Sequence, residues 1–165
     1  MLYFLANWKM YLTHAEAVAL AQGIQKMSVP EGVTVSIFPS MLALSGVKWA
    51  SGNSSVSVGV QHAYWVDRGA YTGAESFFHA AEAGASFALI GHSEQRYVFG
   101  MQTEDIQKAY SAACVAGLRP VLCVGETRAE RDAGMTESVV RSQVRDILSK
   151  TNSTVSPIIA YEPVW

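Results

Sequence analysis

Three short stretches place chemically able side chains directly after apolar runs. Asn7-Trp8-Lys9-Met10 follows a run beginning at Tyr3, Gly91-His92-Ser93-Glu94 follows Phe87–Ile90, and Glu162-Pro163 follows Ile158–Tyr161. Apolar runs of this length read as buried strands, and the C-terminal ends of parallel strands are where α/β proteins gather their chemistry. Lys9 there offers a cation to an anionic substrate, with Asn7 as a polar contact beside it. Gly91 allows a tight turn, and Ser93 and Glu94 suit the start of a helix. His92 then lies near the positive end of that helix, which disfavours imidazolium and leaves a neutral ring able to donate one hydrogen bond. Glu162 is the candidate general base, in surroundings expected to raise its proton affinity. Glu94 has two open roles, orienting Lys9 or starting the helix. Cys123-Val124-Gly125-Glu126 closes a further apolar run. Glu126 there reads as structural, pairing near the strand end or assisting the next helix.

The elements that must carry these residues alternate along the chain. Strands are expected at Tyr3–Asn7, Val33–Phe38, Val56–Gln61, Phe87–Ile90, Pro120–Val124 and Ile158–Tyr161. Most are apolar throughout rather than alternating, as befits parallel strands covered on both faces. Helical patterns lie between them. Residues 14–27 bring Ala15, Val18, Ala19 and Ile24 near one face, and residues 40–51 carry a weaker pattern. Residues 77–84 end at Gly84, a C′ position. Two longer helices open at Thr103 and Thr136, each read as an N-cap with an acid in the following turn. Six strands with five helical connections make one α/β unit over residues 1–165, without an internal linker. Local pattern alone leaves open a doubly wound sheet or a (β/α)8 barrel, and the latter normally takes about 250 residues and eight strands.

Composition removes several function classes. The chain has 165 residues, half of them hydrophobic and 16% charged, with a net charge of -2. Its Lys and Arg are scattered, so no basic stripe is available to neutralise nucleic-acid phosphates. The opening apolar run is broken by Asn7 and Lys9, unlike a secretory leader, and no run reaches membrane-spanning length. Cys114 and Cys123 sit in helix-like and strand-like surroundings and read as reduced core cysteines of a cytoplasmic protein. His14, His62, His79 and His92 are scattered, so no metal set is expected. Phosphate-binding, dinucleotide and serine-hydrolase motifs are absent, and the adjacency of His92 and Ser93 is not a nucleophilic pair.

Asn7-Trp8-Lys9-Met10, Gly91-His92-Ser93-Glu94, Cys123-Val124-Gly125-Glu126 and Ala160-Tyr161-Glu162-Pro163-Val164-Trp165 together resemble the triosephosphate isomerase family, in that family's order and at comparable spacing. The resemblance implies a (β/α)8 TIM barrel, incomplete here, with strands 1–6 and five helical connections. It implies an aldose–ketose isomerase that interconverts dihydroxyacetone phosphate and glyceraldehyde 3-phosphate without a cofactor. Glu162 then matches the base that moves a proton between adjacent carbons. His92 matches the neutral electrophile, Lys9 the substrate-binding cation that offsets developing negative charge, and Asn7 the polar contact beside it. Ser93, Glu94, Cys123 and Glu126 match supporting positions around them.

The resemblance also sets Pro163-Val164-Trp165 at the first hinge of a mobile lid. The lid, the last two strands and the glycine-rich phosphate turns have no counterpart here, roughly a third of the usual barrel. Six parallel strands leave two unpaired edges and uncovered apolar faces. The expectation is the N-terminal chain of a split enzyme, completed by a complementary chain that supplies lid and strands. The alternative is a non-catalytic barrel fragment that self-associates through its edges. A different phosphosugar enzyme on this barrel would need another base or a metal, and neither is visible. Three departures concern association. Thr72-Gly73-Ala74 stands where the family usually has Thr-Gly-Glu, with the acid one place later at Glu75; Gln95-Arg96 replaces Arg-Arg, and Gln61-His62 replaces Gln-Asn. The missing Glu and first Arg are the family's usual pair across its dimer contact, so a standard homodimer is not expected.

Overall fold

The computed structural model describes residues 2–151 and 154–165. Six parallel strands follow one another in chain order across one sheet: β1 (Leu2–Asn7), β2 (Val33–Phe38), β3 (Val56–Val60), β4 (Phe87–Ile90), β5 (Arg119–Val124) and β6 (Ile158–Tyr161). Parallel neighbours demand a crossover, and each crossover here is helical. The helices are α1 (His14–Ile24), α2 (Leu44–Ser51) behind a 3-10 turn at Met41–Ala43, α3 (Phe77–Glu82), α4 (Ser93–Tyr97), α5 (Thr103–Val115), α6 (Arg128–Asp132) and α7 (Thr136–Leu148). The expected strands lie within a residue of these bounds. The helix expected to start at Ser93 is the five-residue α4, whereas α6, also of five residues, has no counterpart in the pattern, because one turn is too short to show a period.

The sheet curls rather than lying flat. The Arg119 Nη1 donates to the Tyr3 hydroxyl at 2.7 Å, joining the start of β5 to β1. In a flat sheet those strands would stand roughly 19 Å apart, four interstrand spacings. The curl also lets Leu5 of β1 and Ile158 and Ala160 of β6 pack on one interior cluster with Phe38, Phe87, Leu89, Val121 and Cys123. On the outside, Val58, Ile90, Leu122 and Val124 meet the helices through Ala17, Val47, Ile106 and Ile147. Both faces of the middle strands are therefore apolar, and all four residues of β4 are buried. The two end strands differ. Leu2 and Phe4 are 56% and 57% exposed, and Ile159 and Tyr161 are 44% and 50% exposed. An incomplete TIM barrel, open between β6 and β1, accounts for this pattern.

Two local expectations need correction. The buried face of α1 is Ala17 and Ala21, with Val18 and Ile24 partly buried, whereas Ala15 and Ala19 face solvent. Runs of alanine fit either register, so apolarity alone could not choose. Thr103 and Thr136 are the first helical residues, not the caps; Gln102 and Met135 precede them and make no side-chain cap bond. The Thr136 hydroxyl is instead turned to Glu126 at 3.3 Å. Complete capping boxes occur at Thr13, Ser76 and Thr127.

Candidate active site

Lys9 sits just past β1 in a conformation that few side chains adopt. Its φ of 51° is the one positive value at a non-glycine among the described residues. Holding such a residue costs about 1–3 kcal/mol, and the conformation persists only where its neighbours over-determine it. Two contacts do so. The Asn7 Oδ1 accepts from the Lys9 N–H at 3.0 Å, and the Gln61 Nε2 donates to the Lys9 carbonyl at 2.8 Å and the Phe38 carbonyl at 2.9 Å. The Lys9 ammonium donates to the Glu94 Oε1 at 2.7 Å, and that bond chiefly raises its proton affinity. Glu94 thus takes both roles open to it, lying in the first turn of α4 and orienting Lys9.

His92 follows Gly91, whose φ of 65° makes the turn out of β4. A side chain at Gly91 would also collide with the Arg96 guanidinium. His92 is the N-cap of α4, and its Nδ1 accepts from the Glu94 N–H at 3.3 Å. An accepting Nδ1 puts the ring proton on Nε2, a tautomer assigned from this hydrogen-bond pattern. That Nε2 lies 3.0 Å from the Glu162 Oε2.

Glu162 extends β6 by one further ladder bond, from its N–H to the Val124 carbonyl at 2.8 Å. Its backbone comes so close to Gly125 that any Cβ there would strike the Glu162 carbonyl. The carboxylate accepts from the Ser93 N–H at 2.7 Å as well as facing His92. Burial pushes the carboxyl up, but the bonds from His92 and Ser93 outweigh it and hold Glu162 below the usual range. The expected rise in proton affinity is therefore corrected: hydrogen bonds to the charged form win over desolvation.

Beneath Glu162 lies Glu126, with 0% of its surface exposed. The Tyr161 hydroxyl sits 3.0 Å from both of its oxygens, and Arg131, Thr136 and Trp165 lie at 3.3, 3.3 and 3.4 Å from its Oε1. Burial pushes this carboxyl up; bonds from its own N–H, Tyr161, Trp165 and Arg131 bring it below the usual range. The Glu126 carbonyl also accepts from the Val164 N–H at 3.0 Å, so Glu126 grips both sides of Glu162. Cys123 is buried, and burial, then the charge of Glu162, pushes its thiol up to about 12. It is a packing residue of the interior.

Asn7, Lys9, His92, Ser93, Glu94, Cys123, Glu126 and Glu162 thus meet at one rim. Their order is Lys9, Glu94, His92, Glu162, with Glu94 touching both Lys9 and His92. Lys9 does not lie between His92 and Glu162, which are in direct contact with each other. Gln61 and Arg96 also belong to the rim; the sequence marks them only in motifs tied to association, and their part at the rim carries no local signal because each acts on main-chain carbonyls. Among the described residues no group of three or more His, Cys, Asp or Glu could hold a metal ion.

The family profile described as triosephosphate isomerase matches residues 2–165. Triosephosphate isomerases of Pseudomonas entomophila (strain L48) and Pseudomonas putida (strain W619) are each 41% identical over 162 residues. That of Pseudomonas aeruginosa (strain LESB58) is 39% identical over 162 residues. In each case the alignment covers 96% of this chain and 64% of the relative, so the chain spans somewhat under two thirds of their length. With six of the barrel's strands in order and a profile match running from residue 2 to residue 165, the chain belongs to the triosephosphate isomerase family.

Proposed function

We propose that this chain supplies the base, the electrophile and the cation for interconverting dihydroxyacetone phosphate and glyceraldehyde 3-phosphate. Glu162 takes a proton from the carbon beside the carbonyl. The electron pair moves onto the carbonyl oxygen, giving an enediolate; the neighbouring hydroxyl then passes its proton to that oxygen, Glu162 returns its own proton to the former carbonyl carbon, and the deprotonated hydroxyl oxygen becomes the new carbonyl. His92 Nε2–H donates to the oxygen on which charge grows, and the Lys9 ammonium offsets that charge beside Asn7. A glutamate base with a neutral imidazole is this family's known chemistry. The observation that carries the reading is the 3.0 Å contact between the His92 Nε2 and the Glu162 Oε2. It puts a donor and a basic oxygen within reach of one small molecule. The substrate carbonyl would replace the carboxylate at Nε2, freeing Glu162 to face carbon. The downward shift of Glu162 keeps it ionised at neutral pH, the form a base requires.

Catalysis at this rim needs cover that the six strands lack. The outward faces of β1 and β6 are exposed at Leu2, Phe4, Ile159 and Tyr161. Our reading is that a complementary chain pairs with both edges, brings two strands with their helices, and supplies the lid and phosphate turns. Mixing this chain with a polypeptide carrying those elements is expected to give isomerase activity. A well-folded mixture without activity counts against it. The same open edges favour a second reading, self-association without turnover, which a stable homo-oligomer lacking isomerase activity would support.

A further inference from the structure

We propose that Arg96 is a positioning residue for this reaction: its guanidinium ties the His92 backbone to β5, on which Glu162 hangs, and supplies the fixed positive charge behind that carboxylate. The paired register of β4 and β5 ends at Ile90 and Leu122. Beyond it the strands part, one turning into α4 and the other running on to Glu126. Arg96 spans the gap. Its Nε donates to the Gly91 carbonyl at 2.7 Å and its Nη2 to the Cys123 carbonyl at 3.2 Å. Gly91 adjoins His92; Cys123 adjoins Val124, whose carbonyl holds the Glu162 N–H. One planar fork therefore fixes both the imidazole and the carboxylate, which a lysine's single ammonium does not reproduce.

The charge has its own consequence. Both bonds of the fork go to neutral carbonyls, and among the described residues no carboxylate forms an ion pair with Arg96. Arg96 and Glu162 border the same narrow crevice, too small to hold a water molecule, with Gly91, Cys123 and Gly125. Burial lowers the proton affinity of the guanidinium, and the neighbouring Tyr97, Cys123 and Glu162 raise it in part. The charged or titratable groups facing Glu162 are Lys9 from the β1 end, His92 and Arg96 from the β4 connection, and Cys123 from β5, with Glu94 and Tyr97 one contact further away. Arg96 is the cation among them that no carboxylate already holds.

The test rests on the proposed role of Glu162 as base but needs no turnover, so it stands even if the chain proves inactive. The Glu162 carboxyl carbon is followed by NMR from neutral to acid pH in the unaltered chain, in Arg96→Lys and in Arg96→Gln. In Arg96→Gln the proton affinity of Glu162 is expected to rise about tenfold, the effect of removing a close opposite charge. In Arg96→Lys the midpoint is expected to stay near that of the unaltered chain while the His92 ring resonances move, because charge is kept and the fork is lost. A Glu162 midpoint unchanged in Arg96→Gln, or raised equally in both variants, overturns the electrostatic role. Should Arg96→Gln not fold, the unaltered chain decides. Its Arg96 Nε–H resonance is expected to shift with the midpoint of Glu162, and a resonance blind to that titration overturns the proposal.

Discussion

At the residue scale, the rim chemistry depends on where a few atoms sit. Glu162→Asp keeps the carboxylate but withdraws it by one methylene. In a complemented, active enzyme this is expected to lower kcat about 10²-fold, the order of loss for a displacement of about 1 Å, with a smaller change in KM. Equal kcat for the two would show that Glu162 is not the base. Cys123 gives a second outcome. Its thiol is buried and pushed up to about 12, so alkylation at pH 8 in the native chain is expected at Cys114 and not at Cys123, read by peptide mass. The identities of the rim residues were legible in the sequence because each lies directly after an apolar run. The ionisation of Glu162 was not legible. It is set by the Ser93 N–H at 2.7 Å and the His92 ring at 3.0 Å, contacts across 69 and 70 positions of sequence. Gln61 was hidden for the same reason: a glutamine that clamps a carbonyl 52 positions away leaves no local pattern.

At the scale of elements, the strands were read almost to the residue, as were the starts of α1 at His14 and α3 at Phe77, while the caps of α5 and α7 were not. A threonine followed by an acid describes an N-cap and a first helical residue equally well. The structure separates them by geometry. Thr13 accepts from the Glu16 N–H at 3.4 Å while the Glu16 carboxylate takes the Thr13 N–H at 2.8 Å, a reciprocal box that also holds Glu16 below the usual carboxylate range. Thr103 makes no such bond. Thr13→Ala is therefore expected to cost about 1 kcal/mol in denaturant unfolding. Thr103→Ala should stay within about 0.5 kcal/mol of the unaltered chain. Equal losses at the two positions would mean that cap geometry is not what stabilises α1. The loop after β3 shows a further limit of local reading. Glu75 stands one place beyond the family's usual acid and meets His79 of its own chain at 2.8 Å, so this acid is already engaged within the protomer.

At the scale of the whole molecule, what the sequence could not settle was curvature, because a strand's own pattern is the same in an open sheet and in a barrel. Tyr3 and Arg119 decide it by meeting across the interior from β1 and β5. Two consequences are global. Glu162 and Glu126 are both held below the usual carboxylate range. Depressed carboxyls stabilise the folded state fully above their unfolded value, roughly 4.3, and that stability is lost as pH falls through their lower folded values. Unfolding followed by circular dichroism is expected to need less denaturant at pH 3 than at pH 6, and an Arg131→Ala chain, with one donor to Glu126 gone, should show a smaller drop. The second consequence is the unpaired pair of edges. Among the described residues β2, β3, β4 and β5 have strand neighbours on both sides, whereas β1 pairs only with β2 and β6 only with β5. In a parallel ladder successive amides point to opposite sides, so roughly half the amides of an edge strand have no strand partner. Hydrogen exchange in the chain alone is expected to be fast at alternate amides of β1 and β6 and slow through β4. If a complementary chain closes the barrel, adding it must slow exchange at both edges at once, because closure pairs the two in a single ring. Protection at one edge alone would instead mark self-association or a simple sheet extension, and would rule out the closed assembly on which the proposed reaction depends.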